Sequence, residues 1–127
     1  VDTVMSSQIM AMIHKLNLEE HIIITGFVNN EELTYLYKNC DLFIFPSIYE
    51  GFGYPIVEAI QHGCKIVSSF SASLNEFDNS QITFANPYDH NEFIDAIGNA
   101  LEKNLLKQEI QNNNALIFER YKNTFFN

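Results

Sequence analysis

Two glutamates and two glycines are concentrated in one short segment of the chain. Seven residues separate Glu50 from Glu58, and Gly51 and Gly53 flank a single aromatic residue between them. Glycine lets a backbone adopt unusual angles and approach a ligand closely, while carboxylates accept hydrogen bonds from hydroxyl groups. No Lys or Arg falls between positions 41 and 62. We therefore expect the two carboxylates to bind hydroxyl groups on two different parts of one ligand.

The position of this segment also indicates a ligand site. It follows an apolar strand, Leu42–Phe45, and leads into a helix that is predicted to begin at Pro55. Open α/β sheets bind ligands where strands end and helices begin. The amides of Ile56, Val57 and Glu58 are expected to be unpaired donors of the first helical turn, suited to an anion. A nucleotide-sugar has this layout, because its diphosphate lies between two groups that carry hydroxyls.

The rest of the chain alternates helical and strand patterns. The strand Leu42–Phe45 is apolar on both faces, which favours a parallel sheet covered on both sides by helices. Asn29 with Glu32 and Asp89 with Glu92 have the spacing of capping boxes. The fold class is therefore α/β, a Rossmann-like parallel sheet flanked by helices. The predicted elements are a helix Val4–Leu16, a strand Ile22–Thr25, a helix Asn29–Asn39, the strand Leu42–Phe45, a helix Pro55–Gly63, a strand Cys64–Ser68, a loop Ser69–Asn75, a strand Ile82–Ala85, a helix from Asp89 and a helix Leu105–Tyr121.

Composition narrows the classes of protein and of partner. The 127 residues are 46% hydrophobic, which fits one globular domain, 1–127, and their net charge of −9 disfavours nucleic acid and anionic membrane surfaces as partners. We find neither a membrane-spanning run nor a signal peptide and expect a cytoplasmic location. Cys40 and Cys64 lack metal-ligand spacing and are interpreted as reduced, partly buried thiols. His62 is expected at a helix C-terminus, where its charge is favourable.

The chemistry-bearing segment resembles a known signature. Residues 46–59 are similar to the donor-binding segment of retaining glycosyltransferases of the GT-B architecture, in particular glycosyltransferase family 4. The resemblance covers roughly residues 18–103, which is far more specific than a lone glycine motif. The matching residues of the signature are Pro46, Ser47, Glu50, Gly51, Phe52, Gly53, Pro55, Glu58 and Ala59.

The resemblance implies roles for the residues between the two glutamates. Glu58 would bind the ribose hydroxyls of the nucleotide. Glu50, the candidate catalytic residue, would contact the donor sugar together with the amides of Phe52 and Gly53, and Gly51 belongs to the same donor-binding segment. The alternative interpretations are that Glu50 is an exposed loop carboxylate and that Glu58 is an acid of the first helical turn that stabilises the helix dipole.

The resemblance also implies how the rest of the donor is bound. The amides of Tyr54 and Ile56 would face the diphosphate, and the backbone around Phe27 and Val28 would meet the base. The donor would be a UDP- or GDP-linked hexose, and transfer would retain the anomeric configuration. No cofactor or metal ion is expected, since such enzymes stabilise the departing diphosphate with a helix dipole and cationic side chains.

This sequence lacks several residues and one domain of the family pattern. No residues match the family's arginine and lysine for the diphosphate, its catalytic histidine or its N-terminal acceptor domain. We therefore expect an incomplete GT-B C-terminal domain that is inactive alone and requires the missing domain of the same enzyme, with peripheral membrane attachment of that enzyme left open. Uncovered strand edges would favour self-association. A non-catalytic nucleotide-sugar-binding module or regulatory subunit is the alternative, and a remnant that binds no ligand is a third hypothesis.

Overall fold

Helices and strands follow the predicted alternation over most of the chain. The computed structural model describes residues 3–48, 53–69 and 81–103. Most of the predicted loop Ser69–Asn75 and the predicted helix Leu105–Tyr121 lie outside these ranges. The elements are α1 (Thr3–Lys15), α2 (Asn30–Asn39), β1 (Phe43–Phe45), α3 (Tyr54–Gln61), β2 (Ile66–Ser69), β3 (Ile82–Ala85) and α4 (His90–Glu102).

The three strands form one parallel sheet in the order β1-β2-β3. Phe43 pairs with Ile66, and Ile66 pairs with Ile82, so all three strands end at the same edge. Parallel neighbours need a crossover connection, and α3 lies between β1 and β2 in the chain. The predicted α/β class with a Rossmann-like parallel sheet is confirmed.

Two apolar clusters cover opposite faces of the sheet. Ile66 packs with Ile56 and Ile60 of α3 in one cluster, whereas the adjacent Val67 packs with Ala96 of α4 in the other. All four residues of β2 are buried, as expected for a central parallel strand whose side chains point alternately to two covered faces. The sheet therefore fixes α3, which carries the candidate residues Tyr54, Ile56 and Glu58, from one side.

Side-chain caps define where two of the helices begin. Asn29 accepts a hydrogen bond from the Glu32 amide at 2.9 Å, and Glu32 accepts one from the Asn29 amide at 2.8 Å, which completes the predicted capping box of α2. Asp89 caps α4 by accepting from the Glu92 amide at 3.0 Å. The Glu92 carboxylate, however, accepts from the amide of Asn86 at 3.1 Å. The Asp89 amide donates to the Asn86 carbonyl at 3.2 Å instead of to Glu92, so the second predicted capping box is only half formed.

One predicted strand is wrong. Residues 22–25 belong to no helix or strand and pair with none of the described strands, and Ile23 and Ile24 are 87% and 58% exposed. A strand needs a neighbouring ladder to satisfy its backbone and cover its side chains, and the described part of the chain offers none here. Ile44 in β1 is also 42% exposed, so that strand is less covered than its apolar sequence predicts. No helix within the described ranges is long and apolar enough to span a bilayer.

Candidate functional site

Helix α3 begins after a glycine whose backbone is in the left-handed conformation. Gly53 is the N-cap of α3 with φ of 65° and ψ of 42°, angles that an L-residue with a Cβ adopts only at a cost. Pro55 occupies the first turn, where its missing N–H leaves no bond unmade. At the other end His62 is the C-cap and Gly63 has φ of 77°, so the predicted position of His62 at a helix C-terminus is confirmed.

The first-turn amides are not the unpaired donors that the sequence suggested. The amides of Ile56 and Val57 both donate to the Gly53 carbonyl, at 3.0 and 3.3 Å. Because α3 begins at Tyr54, Glu58 is its fifth residue and lies beyond the turn that lacks internal partners. The expectation that these three amides are unpaired is therefore wrong, and the implied contact of the Ile56 amide with a diphosphate loses its basis in this geometry.

Glu58 projects from the exposed side of α3, and Tyr37 is its one side-chain partner among the described residues. The hydroxyl of Tyr37 lies 3.2 Å from Glu58 Oε2 and 3.4 Å from the Pro55 carbonyl. The carboxylate is the nearer and the stronger acceptor for the one hydroxyl proton. Glu58 is thus held at one oxygen, and its other oxygen accepts no hydrogen bond from the part of the chain that the structure describes.

Tyr37 is itself fixed by the packing around it. Its side chain is buried, its ring is stacked on His62 with centroids 5.3 Å apart, and it meets Phe43 edge-on, also at 5.3 Å. His62 Nδ1 lies 2.8 Å from the Glu58 carbonyl, which can only accept, so this contact requires the proton on Nδ1. Burial raises the pKa of Tyr37, and the adjacent Glu58 charge raises this pKa further. Tyr37 therefore stays a neutral donor.

Two thiols lie beside the backbone of Tyr37. Cys64 donates to the Tyr37 carbonyl at 3.1 Å, and Cys40 Sγ is 3.6 Å from the same oxygen and 3.7 Å from Cys64 Sγ. Burial, with a smaller contribution from Cys40, raises the pKa of the Cys64 thiol to about 12. Both cysteines are free, as predicted. Within residues 3–48, 53–69 and 81–103 no three His, Cys, Asp or Glu side chains could hold a metal ion, and the absence of a metal requirement stays a prediction.

Serine side chains hold the segment that leaves β1 at the carboxyl edge of the sheet. Ser68 donates to the Phe45 carbonyl at 3.3 Å, and Ser69 donates to the Ser47 carbonyl. Both donors are fully buried at the end of β2. They tie the start of the signature segment to the central strand. Glu50, Gly51 and Phe52 follow directly and lie outside the described residues, so their implied roles stay predictions.

Phe27 and Val28 line a concavity beside α2. It encloses about 630 Å³ between the exposed coil before α2 and one side of that helix. Phe27 is 95% exposed, and no residue of α3 lines this space. The structure therefore brings Phe27 and Val28 together but leaves them apart from Gly53, Tyr54 and Glu58. The lining residues are Thr25, Phe27, Val28, Glu31, Glu32, Tyr35 and Leu36.

Helical spacing predicts Tyr37 on the apolar face of α2, with Leu33 and Leu36, and gives it no part in the site. Its hydroxyl was the available signal, because a buried tyrosine needs a hydrogen-bond partner. Lys65 has a structural role, because its Nζ donates to the Leu101 carbonyl at 2.9 Å, at the end of α4.

Comparison with known proteins decides the family. Residues 3–116 match the family model described as glycosyl transferases group 1. The chain belongs to this family. The resemblance inferred from the signature segment is thereby confirmed.

The relatives of this group 1 chain include bacterial mannosyltransferases. It is 34% identical over 90 residues to the serotype-specific mannosyltransferase WbdA of Escherichia coli, covering 71% of this chain and 11% of that protein. It is 43% identical over 72 residues to the O-antigen chain mannosyltransferase B of Escherichia coli, covering 57% of this chain and 18% of the relative. The chain thus spans less than a fifth of the length of these two relatives.

Proposed function

We propose that this chain is the nucleotide-sugar-binding part of a glycosyltransferase that moves a hexose from a UDP- or GDP-linked donor to an acceptor with retention of configuration. The family match over residues 3–116 is the observation that carries the proposal. Relatives named as mannosyltransferases, and one named as an N-acetylgalactosaminyltransferase, support sugar transfer as the reaction class. The proposal includes a GT-B architecture in which the acceptor domain is another part of the same enzyme.

In this proposal Glu58 binds the ribose of the donor nucleotide. Glu58 is exposed, and within residues 3–48, 53–69 and 81–103 one of its carboxylate oxygens accepts no hydrogen bond. A carboxylate with two oxygens can accept from neighbouring ribose hydroxyls, and such charge-assisted hydrogen bonds are stronger than neutral ones. The concavity beside Phe27 and Val28 supports a base-binding role for that segment, because it offers an open cleft beside an exposed aromatic ring.

The sugar and the diphosphate are assigned to the segment that enters α3. Glu50, with Gly51 and the amides of Phe52 and Gly53, would contact the donor sugar. The positive φ of Gly53 supports a backbone that a ligand can approach closely. The diphosphate would meet the start of α3 at Tyr54, with its charge balanced by cationic groups from elsewhere in the enzyme rather than by a metal ion. A cytoplasmic location, with or without peripheral attachment to a membrane, belongs to the same proposal.

Nucleotide titration of the purified protein tests this assignment. Isothermal titration with UDP, GDP, UDP-glucose and GDP-mannose should show saturable binding of one nucleotide series, with circular dichroism confirming that the protein is folded. Glu58→Gln should weaken that binding by about 1–3 kcal/mol through lost hydrogen bonds to the ribose. Glu102→Gln is the matched control, because it removes the same charge at an exposed position in the last turn of α4.

The outcomes separate the proposal from its alternatives. Equal affinity in the wild type and Glu58→Gln would remove the ribose role of Glu58. Binding by the full-length enzyme without sugar transfer to any acceptor would favour a non-catalytic binding module. Failure of every nucleotide to bind the folded protein would contradict a donor site in this chain.

A further inference from the structure

A glutamate on the exposed side of a helix is ordinarily mobile. Its side chain has several rotatable bonds, and fixing them on binding a ligand costs free energy. Glu58 is exposed, yet its Oε2 lies 3.2 Å from the hydroxyl of Tyr37, which comes from a different helix. The contact therefore selects one orientation of the carboxylate before any ligand arrives.

Tyr37 is suited to hold this orientation because its own position is fixed three times over. The ring is stacked on His62 at 5.3 Å and packed edge-on against Phe43 at 5.3 Å. The Tyr37 carbonyl accepts from the buried thiol of Cys64 at 3.1 Å. Since His62 also contacts the Glu58 carbonyl at 2.8 Å, the ring that supports Tyr37 is tied to the helix turn that carries Glu58.

The direction of the hydrogen bond leaves the carboxylate available to a ligand. Tyr37 donates to one oxygen, and the carboxylate still has acceptor positions on both oxygens. Ribose hydroxyls can donate to those positions without displacing Tyr37. The raised pKa of Tyr37 keeps the hydroxyl protonated, so its role as a donor persists across ordinary pH.

We propose that Tyr37 is a positioning residue whose hydroxyl pre-orients the Glu58 carboxylate for the ribose hydroxyls of a nucleoside diphosphate. The inference rests on the proposed donor-binding function of Glu58 and adds to it a residue outside the signature segment. Tyr37 does not touch the ligand. It reduces the ordering that Glu58 must undergo on binding.

The test compares two ligands on one variant. Tyr37→Phe removes the hydroxyl and keeps the ring packing. We expect it to weaken binding of UDP or GDP, whichever the wild type binds, by about threefold to tenfold, and to leave binding of the 2′,3′-dideoxy form of that nucleotide unchanged. Tyr88→Phe is the matched control, because it makes the same chemical change on an exposed side chain before α4. Any general loss of folded protein would lower both affinities equally.

A double-variant cycle and a shortened side chain complete the test. In the Glu58→Ala background, Tyr37→Phe should have no further effect on nucleotide affinity, because the side chain that it orients is gone. Glu58→Asp keeps the charge but shortens the reach to Tyr37 and should lose most of the preference for ribose over dideoxyribose. This second variant tests the placement of the carboxylate even where Tyr37→Phe folds poorly, and an unchanged preference for ribose would overturn the inference.

Different results would overturn different statements. A wild-type protein that binds the ribo and dideoxy forms equally, or a Glu58→Gln variant without effect, would remove the donor role of Glu58 and this inference with it. If Glu58→Gln weakens binding but Tyr37→Phe does not, or weakens the ribo and dideoxy forms alike, only the positioning role of Tyr37 is overturned.

Discussion

Alkaline pH should destabilise the fold because two buried groups, the Cys64 thiol and the Tyr37 hydroxyl, keep their protons in the folded state. Burial raises the pKa of the Cys64 thiol from 9.0 to about 12, and burial together with the Glu58 charge raises the pKa of Tyr37 above its ordinary 10.0. In the unfolded chain both groups lose their protons near their ordinary pKa. Above those values the folded protein binds more protons than the unfolded chain, so its stability falls as the pH rises.

The size of the effect follows from the number of protons involved. Each proton that only the folded state retains removes roughly 1.4 kcal/mol of stability for every pH unit. From about pH 9 to 10 only the proton retained by Cys64 lowers the stability of the folded state. Above about pH 10 the proton retained by Tyr37 lowers it further. At about pH 11 the combined loss is at most roughly 4 kcal/mol, a large share of the about 5–15 kcal/mol that stabilises a typical domain.

Urea unfolding followed by circular dichroism at a series of pH values measures this loss. The midpoint should be constant up to about pH 8.5 and then fall with increasing steepness. Tyr37→Phe should remove the part of the slope that begins near pH 10, and Cys64→Ser the part that begins near pH 9, whereas Tyr88→Phe should remove neither. Midpoints that decline in parallel in the wild type and the Tyr37→Phe/Cys64→Ser double variant would refute the assignment of the effect to these two groups.

Two further predictions concern the backbone at α3 and the thiols. Gly53→Ala should cost roughly 1–2 kcal/mol of unfolding free energy, because an L-residue with a Cβ is strained at the φ of 65° that the N-cap of α3 adopts. A urea midpoint equal to that of the wild type would contradict this. Iodoacetamide should alkylate the exposed Cys40 in the folded protein and Cys64 only after unfolding, and equal labelling rates by mass spectrometry would show that Cys64 is not protected.

Local signals in the sequence predicted most of the described elements. The capping box of Asn29 and Glu32 fixes the start of α2, because both partners lie within one helical turn of each other. The continuous apolar run Leu42–Phe45 predicted a parallel sheet, since buried parallel strands do not alternate with polar residues. Capping boxes and apolar runs each depend on a few neighbouring residues. A single sequence therefore shows them directly.

Features that depend on distant partners could not be predicted in the same way. The run Ile22–Thr25 has the composition of a strand, but a strand forms only beside another strand, and the described residues supply none. The bonds of the Ile56 amide depend on the left-handed backbone of Gly53. The contact between Tyr37 and Glu58 joins residues 21 positions apart on different helices. Helical periodicity places Tyr37 on a buried face but does not say which polar group it meets there.

The same helix serves both the core and the candidate site, and this links folding to the proposed function. Four of the eight residues of α3 are buried, and Ile56 and Ile60 pack against Ile66 of the central strand. These contacts fix the rotation of α3 about its axis and so decide which side of the helix carries Glu58. Packing specifies where the backbone of Glu58 lies, but it leaves the torsions of an exposed side chain undetermined. The hydroxyl of Tyr37 supplies that last constraint, so the orientation of the proposed ribose-binding carboxylate depends on a residue that the signature segment does not contain.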